Sequence, residues 1–548
     1  MYFLQNRNYK MSRKLRIFFF TSLFIINCIA EIQSQQINYP SEYYYNQIIN
    51  ERINQSDQII HSGFKPLMVS KLTKNNVSDS LFYQNSFDKI FSEKFKSTWF
   101  YRKLRTEDLV YIHNKDFTLK INPLFNLELK KGNNDEKYYI NTRGIEFKGD
   151  IGKKLSFYSS FYENQAHFVP YITANIKKTL VVPGQGAAKF LENDKFDFSR
   201  AEAYLSFSLN ENFNFQVGQS KNFIGEGYRS LILSDNAFSY PFFKFTANYK
   251  QLQYIILWSQ YQSFSGAYYN YHQRKYNAIS YLSWIPAAGF EFSIIESIMW
   301  PGNTTENKNN FTLNYFNPLI LSRTIQFGLD NEKNILLGFN TRVKIYSYAQ
   351  FFAQFVLDKI DNKISAQNNY AFQIGFKHFD LFHRKLSNHS LFLHTEFNYI
   401  APYTYSWNES KQSFSHYNQP LAHATGIGLK ELFATLRYQF KDLSILIKGS
   451  YSINSADTLN TNFGSDLFKP NETFSGITSN IGNQPGQGIK NELLNVNAEL
   501  AYLINRVTNM QLFLGMNYRK NTNILIYSEN LYFSFGIKTN LTNYYYDF

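Results

Sequence analysis

The chain holds one cysteine, Cys28, among 548 residues, which excludes a disulfide framework and any metal centre built on several thiolates. It has no uninterrupted apolar run of about 18 residues, the length a membrane-spanning helix needs. Its mean hydropathy of −0.37 agrees, so a helical membrane bundle is excluded. Charged residues make up only 18%, and a chain so poor in charge buries enough apolar surface to escape disorder. With 26 Gly and 13 Pro, turn residues are fewer than a soluble β-sandwich or propeller of this length needs, although such a fold would alternate in the same way. No sequence repeat of about 20–50 residues marks a solenoid. Neither G-x-S-x-G nor H-E-x-x-H occurs, and no G-K-[ST] follows Gly225-Glu226-Gly227 to make a phosphate loop. The expectation is a non-enzymatic protein without a cofactor.

Aromatic residues are abundant: 54 Phe, 42 Tyr and 5 Trp give 18%, a composition that favours strands and membrane-interface girdles. Lys and Arg number 56 against 42 Asp and Glu, a net charge of +14. These cations are dispersed singly, which speaks against nucleic acid. The anionic partners expected are lipopolysaccharide phosphates and acidic surface glycans. Residues 10–35 place Arg13, Lys14 and Arg16 before an apolar stretch from Ile17 to Ala30 and then small and polar residues. This is the pattern of a cleaved secretory signal, cut between about Ala30 and Gln36, with Met11 as a second candidate start. Cys28 lies inside it.

From about residue 116 the sequence alternates with period two over stretches of roughly 9–11 residues, the length of a tilted membrane strand. Ala201, Ala203, Leu205, Phe207 and Leu209 share one face, and Arg200, Glu202, Tyr204, Ser206 and Ser208 the other. Over 341–357, Val343, Ile345, Ala349, Phe351, Ala353, Phe355 and Leu357 oppose Arg342, Lys344, Tyr346, Tyr348, Gln350 and Gln354. Stretches 432–440 and 510–519 repeat the split, with Arg437 on the polar face of the first. Tight connections such as Lys441-Asp442 and Asn210-Glu211-Asn212 contrast with long polar segments near 165–195, 403–425 and 455–490, read as external loops or in part an inward-folded constriction. Phe533, Phe535, Ile537 and Leu541 alternate toward a terminal aromatic, Phe548, the kind of end strand that outer-membrane assembly reads.

The predicted fold is all-β: an antiparallel outer-membrane β-barrel of about 18 strands (roughly 16–20) with a small N-terminal helical segment. Residues 1–35 are the signal, 36–115 a periplasmic or plug-like segment with helical character over Glu42–Asn54, and 116–548 the barrel. Arg200, Glu202, Arg342, Lys344 and Arg437 are expected to face the lumen.

His378, His383, His389 and His394 cluster in sequence, but spacings of five and six scatter them over both strand faces, so no metal site is expected. Two stretches combine aromatic planes with hydrogen-bonding groups, the chemistry that recognises the apolar faces and hydroxyl rings of sugars. The first gives Tyr228, Arg229, Asp235, Asn236 and Tyr240 as glycan or partner contacts. The second gives Glu396, Tyr403, Tyr405, His416, Tyr417, Asn418, Gln419 and His423. The same mixture also suits an ordered internal loop packed against the barrel wall.

GEGYRSLILSDNAFSYP (Gly225–Pro241), EFNYIAPYTY (Glu396–Tyr405), SHYNQPLAH (Ser415–His423) and GIKTNLTNYYYDF (Gly536–Phe548) resemble the Wzi-type capsule-assembly outer-membrane proteins, and especially their relatives known as gliding-motility protein RemB. Ala424 stands where the family pattern has proline after the Ala-His pair. The resemblance implies a non-enzymatic barrel of about 18 strands at the cell surface of a Gram-negative bacterium. Its partners would be surface polysaccharide and outer-membrane lipid. A place in gliding-motility, adhesion or secretion machinery, and a porin-like channel, are the alternative roles.

Overall fold

A computed structural model describes residues 36–548 apart from 75–92, 134, 265–271, 303–312, 328–333, 360–368, 383–388, 408–411, 458–460, 470–481 and 540–541. The signal, with Cys28, together with His383 and Leu541, therefore lies outside the described residues.

The alternating stretches form a closed antiparallel barrel of 18 strands. In chain order these are β1 Phe117–Lys131, β2 Lys137–Ile151, β3 Leu155–His167, β4 Lys195–Ser208, β5 Phe213–Ser220 and β6 Tyr240–Tyr249. There follow β7 Leu252–Phe264, β8 His272–Ala287, β9 Phe290–Pro301, β10 Asn334–Tyr346, β11 Ala349–Lys359 and β12 Asn369–His378. The circuit is completed by β13 His389–Ile400, β14 Leu429–Phe440, β15 Leu443–Ala456, β16 Ile489–Asn505, β17 Met510–Thr522 and β18 Tyr527–Lys538. Neighbours in sequence pair throughout, and β18 closes on β1 through Phe535↔Leu129. The two end strands pair over Phe533–Lys538 and 126–131, which closes the sheet on itself as a lipid-exposed sheet requires.

Parity decides which side chains meet lipid. On β4, Ala201, Ala203, Leu205 and Phe207 point outward and are exposed, while Arg200, Glu202, Tyr204, Ser206 and Ser208 are buried inside. Connections alternate between two or a few residues at one end and long segments at the other, so the long-loop end is the outer one. Lys441 takes φ 53° in the tight β14–β15 turn, the left-handed conformation such hairpins demand.

Two expectations change. The stretch 341–357 is not one alternating unit: Ser347 and Tyr348 turn the chain between β10 and β11, and the register shifts there. The faces nonetheless match the expectation on both strands: Val343, Ile345, Phe351 and Phe355 are exposed, while Arg342, Gln350 and Gln354 are buried. The chain also does not end on a strand. β18 stops at Lys538, and the tail runs back into the lumen, with Phe548 packed edge-on against Tyr171.

Three segments fill the lumen. The first is the N-terminal stretch, whose helix α1 (Tyr43–Gln55) ties to the wall through Tyr43 Oη with His394 Nδ1 and Asn54 Nδ2 donating to the Tyr346 carbonyl. The second is the β5–β6 loop, held by pairing of Phe223–Ile224 with Phe64–Lys65. The third is the C-terminal tail. The β13–β14 loop caps them, and helix α2 (Pro170–Thr179) lies over the tail, Tyr171 Oη donating to the Tyr546 carbonyl at 2.7 Å.

Candidate binding site in the barrel lumen

Arg229 is the hub of the β5–β6 loop. Its guanidinium donates to both Glu431 carboxylate oxygens (3.1 and 2.8 Å) and to Asp547 at 3.1 Å. The fork geometry of arginine fits this two-oxygen recognition. His423 Nε2 lies 2.8 Å from Glu431, and Tyr228 Oη donates to Asp547 at 3.1 Å. The Glu396 carboxylate accepts the backbone amides of Tyr228 and Arg229 at 2.8 and 3.1 Å. That contact needs a bare backbone at Gly227, where a Cβ would sit 2.6 Å from a Glu396 oxygen. Burial alone would raise the Asp547 carboxyl; Arg229 and Lys448 together overcome it and hold the group below its ordinary range. Asp235 accepts from Tyr545 and Asn543 at 2.6 and 2.9 Å, and burial nonetheless pushes its carboxyl up.

The other sequence candidates join the same interior. Tyr240 packs against Tyr261 and His416, and Asn236 reaches the Pro420 carbonyl. Tyr403 donates to the Asn462 carbonyl and Tyr405 to that of Leu231. His416 accepts the Gln262 amide at 3.0 Å. Asn418 and Gln419 donate to the carbonyls of Thr179 and Gln185, while Tyr417 tilts against Phe238. Tyr417 and Asn418 are partly buried and the remaining candidates are buried. As a set they weld the internal loops to the wall; they do not form an exposed face.

Four of the five inward charges are likewise buried. Arg200 donates to Thr542 of the tail at 2.6 Å, Arg342 bridges Glu291, and Arg437 lies over the Tyr44 ring at 4.2 Å. Lys344, partly buried, pairs with Asp57. Arg200, Lys344 and Arg437 thereby grip luminal segments, and Arg342 does so by donating to the Ile60 carbonyl. His378, His389 and His394 pack separately, near Tyr348, Phe440 and Tyr43.

A cavity of about 310 Å³ with mixed polar and apolar lining lies between the tail, α1 and the inner wall of β14–β18 and β1. Its shape follows from alternation in the extended tail. Tyr545 turns away to Asp235, whereas Tyr544 and Tyr546 line the cavity together with Asp547, which Arg229 holds at its margin. Their rings are parallel, 5.7 Å apart with 6° between planes. Asn495, Asn497 and Asn517 line it from the wall, with Asn517 Nδ2 donating to Asn495 Oδ1 at 3.0 Å. Asn126 Oδ1, Asn495 Nδ2 and Arg437 Nη1 are buried there without a partner among the described residues. Stacked rings beside unpaired amides and a guanidinium suit a ligand that is apolar on its faces and hydroxylated at its rim.

Of the sequence candidates, Tyr228 and Arg437 line this cavity. The asparagines were not singled out, although the inward parity of Asn495, Asn497 and Glu499 carries the signal. Tyr544 and Tyr546 were not singled out because they read as the end of a strand.

No protein-family model matches the chain, and no curated protein matches it in sequence. Among solved structures it is similar to Wzi of Escherichia coli, an outer-membrane protein involved in group 1 capsule assembly and a carbohydrate-binding β-barrel. That likeness has a TM-score of 0.56 at 12% identity and covers 92% of this chain and 100% of Wzi. OprD of Pseudomonas aeruginosa aligns with a TM-score of 0.39 at 10% identity, over 79% of this chain and 97% of OprD. OpdK, an outer-membrane protein of Pseudomonas aeruginosa, gives 0.41 at 8% identity, over 78% and 99% of the two chains. The class is therefore an outer-membrane β-barrel, and the whole-chain likeness to Wzi is one of fold.

Proposed function

We propose that the protein resides in a bacterial outer membrane and binds surface polysaccharide without chemically altering it. The observation that carries this reading is the luminal cavity, lined both by the parallel rings of Tyr544 and Tyr546 and by Asn495, Asn497 and Asn517. A sugar ring presents C–H faces to such rings and hydroxyls to such amides. The Wzi likeness supports the reading because that barrel is a carbohydrate binder. The filled lumen disfavours a porin-like channel.

The test is affinity electrophoresis of the purified, heat-modifiable barrel through gels containing the host's extracted surface polysaccharide, with an unrelated barrel as control. Selective retardation is expected. Tyr544→Ala and Asn497→Ala should each weaken it roughly three- to tenfold, the loss of one stacking or hydrogen-bonding contact. Equal mobility of wild type and control at high polysaccharide would overturn the proposal and redirect attention to a motility partner or a pore.

A further inference from the structure

Parity on β9 sets Phe290, Phe292, Ile294, Glu296, Ile298 and Trp300 outward, toward lipid. A carboxylate in that row is costly unless it is paired. Glu296 is fully buried, as are its outward neighbours Ser280, Ala278 and Ile298, whereas outward Leu432 and Leu514 are 57% and 58% exposed. The cover is the described part of the β9–β10 connection, residues 313–327, which lies against the outside of the barrel wall. Its helix α3 (Ser322–Phe327) brings Arg323 Nε to Glu296 at 3.1 Å and Arg323 Nη2 to Ser280 Oγ at 2.6 Å. Thr324 donates to the same carboxylate from its amide and hydroxyl, each at 2.7 Å. Tyr315 stacks on Trp300 at 3.7 Å and accepts the Trp258 indole N–H at its carbonyl.

This strap carries apolar side chains on its own outer side: Leu319 is 67% and Ile325 83% exposed. Between strap and wall lies a groove of about 540 Å³, lined by Val217, Phe243, Trp258, Tyr276, Trp300 and Phe316. The groove sits toward the long-loop end of β5–β9 and opens to the membrane side. Arg274, two residues before Tyr276 on the same outward face, is exposed at the upper end of the groove, where its carbonyl accepts the amide of groove residue Gly302. An acyl-sized apolar slot with an exposed cation at its long-loop end matches an anionic lipid of the outer leaflet.

We propose that this strap and wall form a site for the lipid A part of lipopolysaccharide, one acyl chain in the groove and a phosphate on Arg274. The site is separate from the luminal cavity, so its failure and that of the polysaccharide reading are distinguishable.

Native mass spectrometry of the detergent-purified barrel, titrated with lipid A or with phosphatidylglycerol, tests it. Wild type should form a one-to-one lipid A adduct at least tenfold more readily than a phosphatidylglycerol adduct. Arg274→Glu and the groove-filling Val217→Trp should each reduce the lipid A adduct about tenfold while polysaccharide retardation stays unchanged. Should either variant lose heat-modifiable mobility, Arg274→Gln replaces it with the same expected loss. No wild-type adduct, equal adducts in wild type and variants, or equal uptake of the two lipids would each overturn the proposal.

Discussion

Arg229 concentrates the energetics of the interior because one guanidinium serves two buried carboxylates. Arg229→Ala would leave Glu431 and Asp547 buried near each other without the guanidinium they share, Asp547 keeping only the more distant Lys448, a change costing about 3–5 kcal/mol. The expected readout is a lower temperature for loss of the compact, heat-modifiable band. An unchanged temperature would show that water already neutralises the cluster. A second residue-scale effect is acid sensitivity. Burial holds His416 down to about 3 and His61 to about 4, against an ordinary 6.5. Below 6.5 the unfolded chain takes up protons that these folded rings refuse, so their contribution to stability is intact above pH 6.5 and declines steadily toward pH 4. Unfolding temperatures measured between pH 7.5 and 4 should fall, and His416→Gln should flatten the slope. An identical slope in the variant would remove His416 as the cause.

At the scale of elements, the C-terminal tail acts as a bolt. It supplies Asp547 to Arg229, Tyr545 to Asp235 and Thr542 to Arg200, yet no strand depends on it, since β18 closes on β1 before it begins. Deleting residues 540–548 should therefore leave an assembled barrel whose lumen conducts. Planar-bilayer recording is expected to show steady ion conductance in the truncated protein and little in wild type. A closed truncated barrel would mean that α1 and the β5–β6 loop seal the lumen unaided. The outer strap is a second such element: it compensates a carboxylate that strand parity forces toward lipid.

At the scale of the whole molecule, the strands were legible because their physics is local. Alternation at Arg200–Ser208 places lipid and lumen faces without reference to any neighbour, and tight turns such as Lys441-Asp442 fix which end is which. Residue types at the site were legible, but their surroundings were not. Tyr228 and Arg229 carry the composition of an exposed glycan face. Only the fold brings Glu396 and Glu431 from β13 and β14 and Asp547 from the chain end to bury them.

The sequence by itself determined a barrel: aromatic-rich period-two segments of membrane length, with connections alternately short and long, leave few other ways to satisfy every backbone amide in lipid. Tertiary structure alone decided what fills that barrel and what covers its wall. Both depend on contacts between residues hundreds of positions apart, such as Arg229 with Asp547. The final residues alternate as a strand would, and only the closure of β18 on β1 after Lys538 releases them to run inward and build the cavity.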